Sequence, residues 1–465
     1  MYCNTKQVVL QYQKRRALHG GPQGRRHDIT EGGSVLAKKK AQPETWYPMD
    51  NAGVLYAAIS GDDYSPVYRI SAVLDKAVDA AALQRALEKT IPRFPTFHVR
   101  LRKGAFWYYF VPDDRPGPFV QEDVCNFCQP MDPCGEATRL LRVCRYENRV
   151  SIECFHALSD GGGAMVFFKT LLACYFRELG EDIPDGDGIL DVTEPPRSGE
   201  TEDAYRRYAG GRAAPRTWKQ TAYHPTGTPE PFYTLNVTQG LLSVAQVKQV
   251  AKANGGSITE YLSAALIWTL MELQRREGRK ERPVSLAIPI DLRRFFPTET
   301  VRNFILTARP CIDPRLGDYT FPEVMEQVRY QLRLELSRPL MKGSITGNVN
   351  FQKNPILKAV PCVLKDPVMK LSYRLAAIRP FSMTYTNPGI FKAPAPMARH
   401  IQRVEAVLGQ PYGDTVNCAS VSCGDALSIS FASNLKERDV EREFFRFLVR
   451  EGLHVKVLSN RSDPS

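Results

Sequence analysis

The sequence predicts a mixed α/β fold in two lobes, on three observations. The chain is 465 residues long, more than one ordinary hydrophobic core takes up. Short runs with the alternation of strands lead into runs with helical spacing, once before Gly180 and again after Pro231. Between them, residues 186–231 are rich in Asp, Gly, Pro and Arg, the composition of a connection. The expected organisation is a tail over 1–45, an N-terminal lobe over 46–185, the connection over 186–231 and a C-terminal lobe over 232–465.

Each element has a local reason. The tail holds nine cations up to Lys40 against Asp28 and Glu31, +7 of the chain's net +12. It is rich in glycine and polar residues without periodicity and is expected not to fold. Folding is expected to begin near Trp46-Tyr47-Pro48-Met49-Asp50. A helix over 79–90 carries Ala82, Leu83, Ala86 and Leu87, and Pro92 and Pro95 close it. The aromatic run 106–110 predicts a strand. Strands over 139–145 and 149–155 form a hairpin through Glu147-Asn148, with Val150, Ile152 and Cys154 on one face. Met165, Phe168, Leu171, Leu172, Tyr175, Phe176 and Leu179 then recur at helical spacing before Gly180. The C-terminal lobe opens with a strand over 232–239 and a helix from Ser243, broken at Gly255-Gly256. Ser257-x-x-Glu260 is a capping box for a helix over 261–272, whose Leu262, Leu266, Trp268 and Leu270 read as core. Further helices are expected over 321–336 and 441–450, and a strand over 426–431.

Chemistry concentrates where strand 149–155 ends. Cys154-Phe155-His156-Ala157-Leu158-Ser159-Asp160-Gly161-Gly162-Gly163 places an imidazole, a carboxylate four residues on, and three glycines. Histidine titrates near neutrality, so it can take a proton from a hydroxyl, amine or thiol and return it. Glycines let backbone and substrate approach closely, and a strand end gives a base rigid support. A buried histidine beside an ordinary Gly-rich turn is the alternative that spacing alone leaves open.

His156-x-x-x-Asp160-Gly161 resembles the active-site signature of the chloramphenicol acetyltransferase-like superfamily. That group includes condensation domains of peptide synthetases, plant BAHD acyltransferases and alcohol acetyltransferases. Ile288-Pro289-Ile290-Asp291-Leu292-Arg293-Arg294-Phe295-Phe296-Pro297, followed by Arg302-Asn303-Phe304, is similar to the family's Pro-x-Asp-Leu-Arg strand and the asparagine after it. Thr384-Tyr385-Thr386-Asn387-Pro388-Gly389 is similar to the Ser-Asn-Leu-Gly segment of alcohol acetyltransferase-like members, with Thr386 for the serine and Pro388 for the leucine. The resemblance runs from Tyr47 to the C-terminal helix.

The resemblance implies two similar lobes, each a mixed sheet flanked by helices, with a tunnel between them. It implies that His156 is the general base, that Gly161 belongs to the catalytic motif, and that Asp160 supports the motif loop by pairing with an arginine. Arg293 is the matching position and Arg294 its competitor, a solvated basic pair being the alternative. Asn303 is a supporting residue. Thr386 and Asn387 fall where the oxyanion of a tetrahedral intermediate would lie, although Asn-Pro-Gly also reads as a plain turn. The implied reaction moves an acyl group from acyl-coenzyme A, a co-substrate rather than a resident cofactor, to an alcohol. Transfer to an amine, or from a carrier-protein thioester, would use the same apparatus. A non-catalytic relative that binds an acyl ligand or carrier protein, and an adaptor acting through residues 1–40, are the competing classes.

Other chemistries lack their residues. Ser159 beside Asp160 makes no triad, and no Gly-x-Ser-x-Gly elbow frames it. Neither a phosphate-binding loop nor a dinucleotide fingerprint is present. Cys125-x-x-Cys128 with Cys134 has no clear fourth ligand, so no metal is expected. The other histidines, His19, His27, His98, His224, His400 and His454, show no ligand pairing. Eleven cysteines without regular pairing suit a reducing cytoplasm. No segment reaches the ~20 apolar residues of a membrane span, and the start lacks the apolar core of a signal peptide. The basic tail has no interleaved aromatics, so no nucleic acid is expected. The +5 outside it is compatible with an anionic donor such as coenzyme A.

Overall fold

The computed structural model describes residues 46–61, 64–214, 220–231, 234–411 and 416–461. The expected tail over 1–45, with His19 and His27, lies outside them, as do Phe232 and Tyr233. Trp46–Arg461 form one compact unit.

In chain order the first elements are α1 (Asn51–Ile59), β1 (Val67–Leu74), α2 (Ala80–Thr90), β2 (Leu141–Tyr146), β3 (Arg149–Phe155) and α3 (Gly161–Glu178). Next come β4 (Asn236–Ser243), α4 (Val244–Ala253), α5 (Ile258–Arg276), β5 (Val284–Asp291), β6 (Ile305–Ala308), α6 (Phe321–Glu335), α7 (Arg338–Lys353) and α8 (Cys362–Tyr373). The chain then runs through β7 (Met383–Ile390), β8 (Ile401–Leu408), β9 (Val416–Cys423), β10 (Ala426–Ser433), α9 (Asp439–Arg450) and β11 (Lys456–Ser459).

Helix starts follow their caps. Asp50, Asp79, Asp160, Ser243 and Ser257 each accept a hydrogen bond from a first-turn backbone N–H. Ser257 and Glu260 form the expected capping box. Gly255 takes φ +76° just beyond the end of α4, a conformation that only glycine adopts at no cost.

Some boundaries move, for local reasons. The aromatic strand occupies Tyr108–Pro112 instead of 106–110, because Gly104 N–H donates to Trp107 O at 2.8 Å and spends Phe106 and Trp107 in a hairpin turn. Among the described residues the strand expected over 232–239 is β4, Asn236–Ser243, and the last helix starts two residues early at Asp439. Asn387-Pro388-Gly389 lies inside β7 and does not form a free turn. The register against β9 shifts between Thr386 and Gly389, and β5 pairs only with Met383 and Thr384. Pro388, which lacks an N–H, is tolerated at such a bulge.

Among the described residues, the first sheet has the order β8-β1-β3-β2 and ends on the short strand Val120–Glu122. Its outermost strand comes from far down the chain: β8 runs antiparallel to β1 from Tyr68↔Leu408 to Leu74↔Ile401. The second sheet has the order β6-β5-β7-β9-β10-β4-β11, with β7 parallel to both neighbours. α2 and α3 pack against the first sheet, where Leu83, Leu87, Leu171 and Leu172 share one core with Val150, Ile152 and Cys154. α5, α6 and α9 bury Leu266, Val328 and Phe444 in a second core.

The other face of the first sheet is also buried, and it is ionic. Arg69 donates to Asp123 Oδ1 at 2.9 Å, Glu153 Oε1 at 3.1 Å, Ser151 Oγ at 2.7 Å and Ser71 Oγ at 3.1 Å. Glu153 also accepts from Cys128 N–H at 2.6 Å and faces Arg142 at 3.3 Å. Removing one charge from such a group strands its partners in low dielectric. Arg69→Met is therefore expected to lower stability in urea unfolding by about 3–5 kcal/mol; an unchanged midpoint would show the network to be neutral.

Candidate active site

The backbone at the end of β3 is held before any side chain acts. Phe155 faces Val67 in the last pair of the β1–β3 ladder, and His156 N–H donates to Pro66 O at 2.8 Å, one further bond in the same row. A tight turn follows, and Asp160 caps α3. The three glycines differ in what they face. A Cβ at Gly163 would lie 1.9 Å from Val301 O, and one at Gly162 would lie 2.9 Å from Arg293 Nη1. Both positions are closed to side chains by the protein itself. A Cβ at Gly161 would meet nothing within 4 Å, so open space lies in front of the first glycine.

Asp160 is the fastening between α3 and the segment after β5. Its Oδ1 accepts from Gly163 N–H at 2.9 Å; its Oδ2 accepts from Phe304 N–H at 2.6 Å and Arg293 Nη1 at 3.0 Å. Arg293 is fixed in turn by Asp291 Oδ1 at 2.9 Å, Thr300 O at 2.8 Å and Arg302 O. Arg294 points elsewhere and donates to Pro388 O at 3.2 Å.

The His156 ring is partly exposed and gripped by aromatics. Tyr56, on α1, stacks on it at 4.1 Å, and Tyr68, on β1, meets it edge-on at 4.9 Å. Tyr68 OH also lies 3.0 Å from Ser159 O and 3.1 Å from Asp160 O, bracing the motif turn. Nδ1 of His156 lies 3.3 Å from Asn303 Oδ1. The orientation of that amide follows from its other end: Nδ2 faces two acceptors, Asp50 Oδ2 and Ala157 O, each at 3.4 Å. An amide oxygen there would meet only oxygens, so Oδ1 must face the imidazole. Nδ1 therefore carries the proton and Nε2 the lone pair. These contacts are long and orient more than they bind.

Burial pushes the His156 pKa below its ordinary value, against the opposing pull of its own backbone carbonyl, the Asp160 charge and the Asn303 bond. The neutral base form is thereby favoured. Burial pushes the Asp50 carboxyl upward, while Arg302 at 3.5 Å and Gly53 N–H at 2.7 Å hold it down.

The motif residues thus fall into two joined groups, His156–Asn303 and Asp160–Arg293. Thr386 is half-buried on β7, and Asn387 donates to Thr259 Oγ1 at 3.0 Å while its Oδ1 accepts from Gly389 N–H. Neither is bonded to His156 among the described contacts. Cys125 and Cys134 are exposed and Cys128 is buried. A cavity of about 240 Å³ lies away from the motif, lined by Tyr223, Arg276, Glu437 and Asp439. Asp50, Tyr56 and Tyr68 carry no motif of their own. Asp50 could have been found as a helix cap, but the aromatics are joined to His156 only by the fold.

No protein-family model and no curated protein matches the sequence. Solved structures do. TRI101 of F. graminearum, complexed with coenzyme A and deoxynivalenol, is similar at TM-score 0.59 and 11% identity, over 89% of this chain and 99% of that one. TRI3, a trichothecene 15-O-acetyltransferase from Fusarium sporotrichioides, is similar at 0.53 and 12%, over 87% and 93%. The condensation domain from the monacolin K polyketide synthase MokA is similar at 0.54 and 13%, over 88% and 96%. At these identities the likeness concerns the fold, and it spans nearly the whole of each protein. The chain has the chloramphenicol acetyltransferase-like fold, the two-lobed α/β architecture that these acetyltransferases and condensation domains share.

Proposed function

We propose that the protein is an acyltransferase that moves an acyl group from acyl-coenzyme A to an alcohol, with His156 as general base. The observation that carries this reading is the imidazole itself: its Nδ1 is committed to Asn303, its Nε2 is left basic, and burial keeps it neutral. Nε2 takes the proton of the acceptor hydroxyl as that oxygen bonds to the thioester carbonyl carbon. The tetrahedral intermediate then collapses, the C–S bond breaks, and Nε2 returns the proton to the departing thiolate. Both substrates reach the imidazole through a passage between the lobes, which excludes competing water. The open space at Gly161 supports approach of a reactant to the start of α3. Thr386 offers a hydroxyl for the oxyanion, whereas the Asn387 amide already donates to Thr259 and accepts from Gly389 N–H. Asn303 positions the ring, and Asp160 with Arg293 keeps the loop in shape. The fold shared with TRI3 and with coenzyme A-complexed TRI101 supports acyl transfer. The fold shared with MokA favours one second reading, condensation with an amine or from a carrier-protein thioester.

Thiol release and product mass, followed over a panel of acyl-coenzyme A donors with alcohols and amines, test the assignment. His156→Ala should lose about 10²–10⁴-fold in kcat; near-normal turnover would remove the base. Protonation silences the base, so kcat/KM should fall as pH drops through a pKa below 6.5 and be flat above it. Asn303→Ala should lower kcat about tenfold at little change in KM and move that acid limb further down, since a bond favouring the charged ring is lost. An unmoved limb would make Asn303 merely structural. Asp160→Asn should lose about 1.5–3 kcal/mol in thermal or urea unfolding, because Arg293 and Phe304 N–H lose a charged acceptor.

A further inference from the structure

We propose that the outer face of α8 is a docking surface for an anionic lipid bilayer. Among the described contacts, α8 is fastened to the protein on the side that carries Cys362, Lys365 and Asp366. Cys362 N–H donates to Ala105 O and Lys365 Nζ to Phe106 O, each at 2.7 Å, and the ammonium lies 3.8 Å from the centre of the Trp107 ring. Asp366 accepts from Tyr108 OH at 2.6 Å and pairs with Lys103 at 2.7 Å. The other side carries Leu364, Val368 and Leu371, and Leu375 in the helical turn that continues α8, spaced four, three and four residues apart. That spacing makes one helical stripe. With Val363 beside them, these side chains are 40–75% exposed. Lone exposed leucines are ordinary, but a cluster on a firmly held helix marks a face that an apolar phase covers.

The charge of the chain segment that carries α8 selects that phase. Residues 338–379 contain eight lysines and arginines and one carboxylate. The carboxylate is Asp366, already bound on the inner side. Lys353, Lys358, Arg374 and Arg379 are exposed, and none has a carboxylate partner among the described residues. A second copy of this chain would set the same cations against themselves, so self-association through this face is opposed. Anionic headgroups remove that conflict. Apolar side chains enter the acyl boundary while the exposed cations of the segment are attracted to the anionic surface. No helix among the described residues is long and apolar enough to cross a membrane, so this contact is peripheral.

Flotation of the full chain with vesicles of phosphatidylcholine, alone or mixed with phosphatidylglycerol, tests the surface at low and high salt. Binding should require phosphatidylglycerol and weaken with salt. The triple variants Leu364→Asn/Val368→Asn/Leu371→Asn and Lys353→Glu/Lys358→Glu/Arg374→Glu should each reduce it by about tenfold or more. Their melting temperatures should match the parent's, since the altered side chains face solvent. Indifference to the mixed vesicles overturns the proposal, as does parental binding by both variants, which would assign the affinity to the basic N-terminus. A third overturning result is sedimentation velocity in which the apolar variant only converts an oligomer to a monomer. Turnover is not read, so the outcome is independent of the acyltransfer assignment.

Discussion

The buried carboxylate of Asp160 is the constraint on which the site depends. A charge two per cent exposed survives only if its lone pairs are filled. Here one oxygen serves the first turn of α3, and the other receives a backbone N–H and a guanidinium from the segment after β5. The carboxylate therefore joins chain regions distant in sequence at one point. Gly163 lets those regions come so close, because a methyl group in its place would overlap Val301 O. Asn303 lies next to Phe304, whose N–H binds Asp160. The same fastening that shapes the motif loop thus sets the residue that orients the imidazole.

Two opposing electrostatic demands meet at His156. Burial between Tyr56 and Tyr68 disfavours the imidazolium, which keeps a lone pair available near neutrality. A base that took up a proton in such a place would need help to hold it. The dipole of Asn303 and the field of Asp160 supply that help without offering a full charge in contact, which would raise the pKa and favour the protonated ring, without a free lone pair, at neutral pH. Asp50 completes the arrangement by orienting the far end of the amide, and it is itself compensated by Arg302 and Gly53 N–H.

How much was legible from sequence depended on how local each interaction is. Strand Arg149–Phe155, the helix that begins after Asp79, the cap at Ser257 and the helix after the glycines rest on neighbours within a few residues, and the pattern exposes them. The grouping of His156, Asp160, Arg293 and Asn303 was visible only as ordered motifs; spacing says nothing of which atom faces which. Tyr56 and Tyr68 could not be singled out, since ordinary aromatics on a helix and a strand become ring neighbours only through the fold. α7 and α8 escaped because Pro339, Gly343, Gly347, Pro361 and Pro367 read as helix breakers, which outweighs the short apolar spacing within α8, and tertiary contacts, not propensity, hold them. The plain-turn reading of Asn-Pro-Gly, left open by the sequence beside the site reading, gives way because strong turn residues sit in a strand whose bulge absorbs them.

The origin of β8 has a consequence for biosynthesis. β1, β2 and β3 leave the ribosome early, but the strand that covers the outer edge of β1 follows only after most of the chain has been made. Until then β1 presents unpaired N–H and C=O groups along one side, a template for pairing with another nascent chain. The imidazole's own strand lies next to that open edge. Maturation of the N-terminal half must therefore wait on translation of the C-terminal half, and the two cannot be expected to mature as separately expressed fragments.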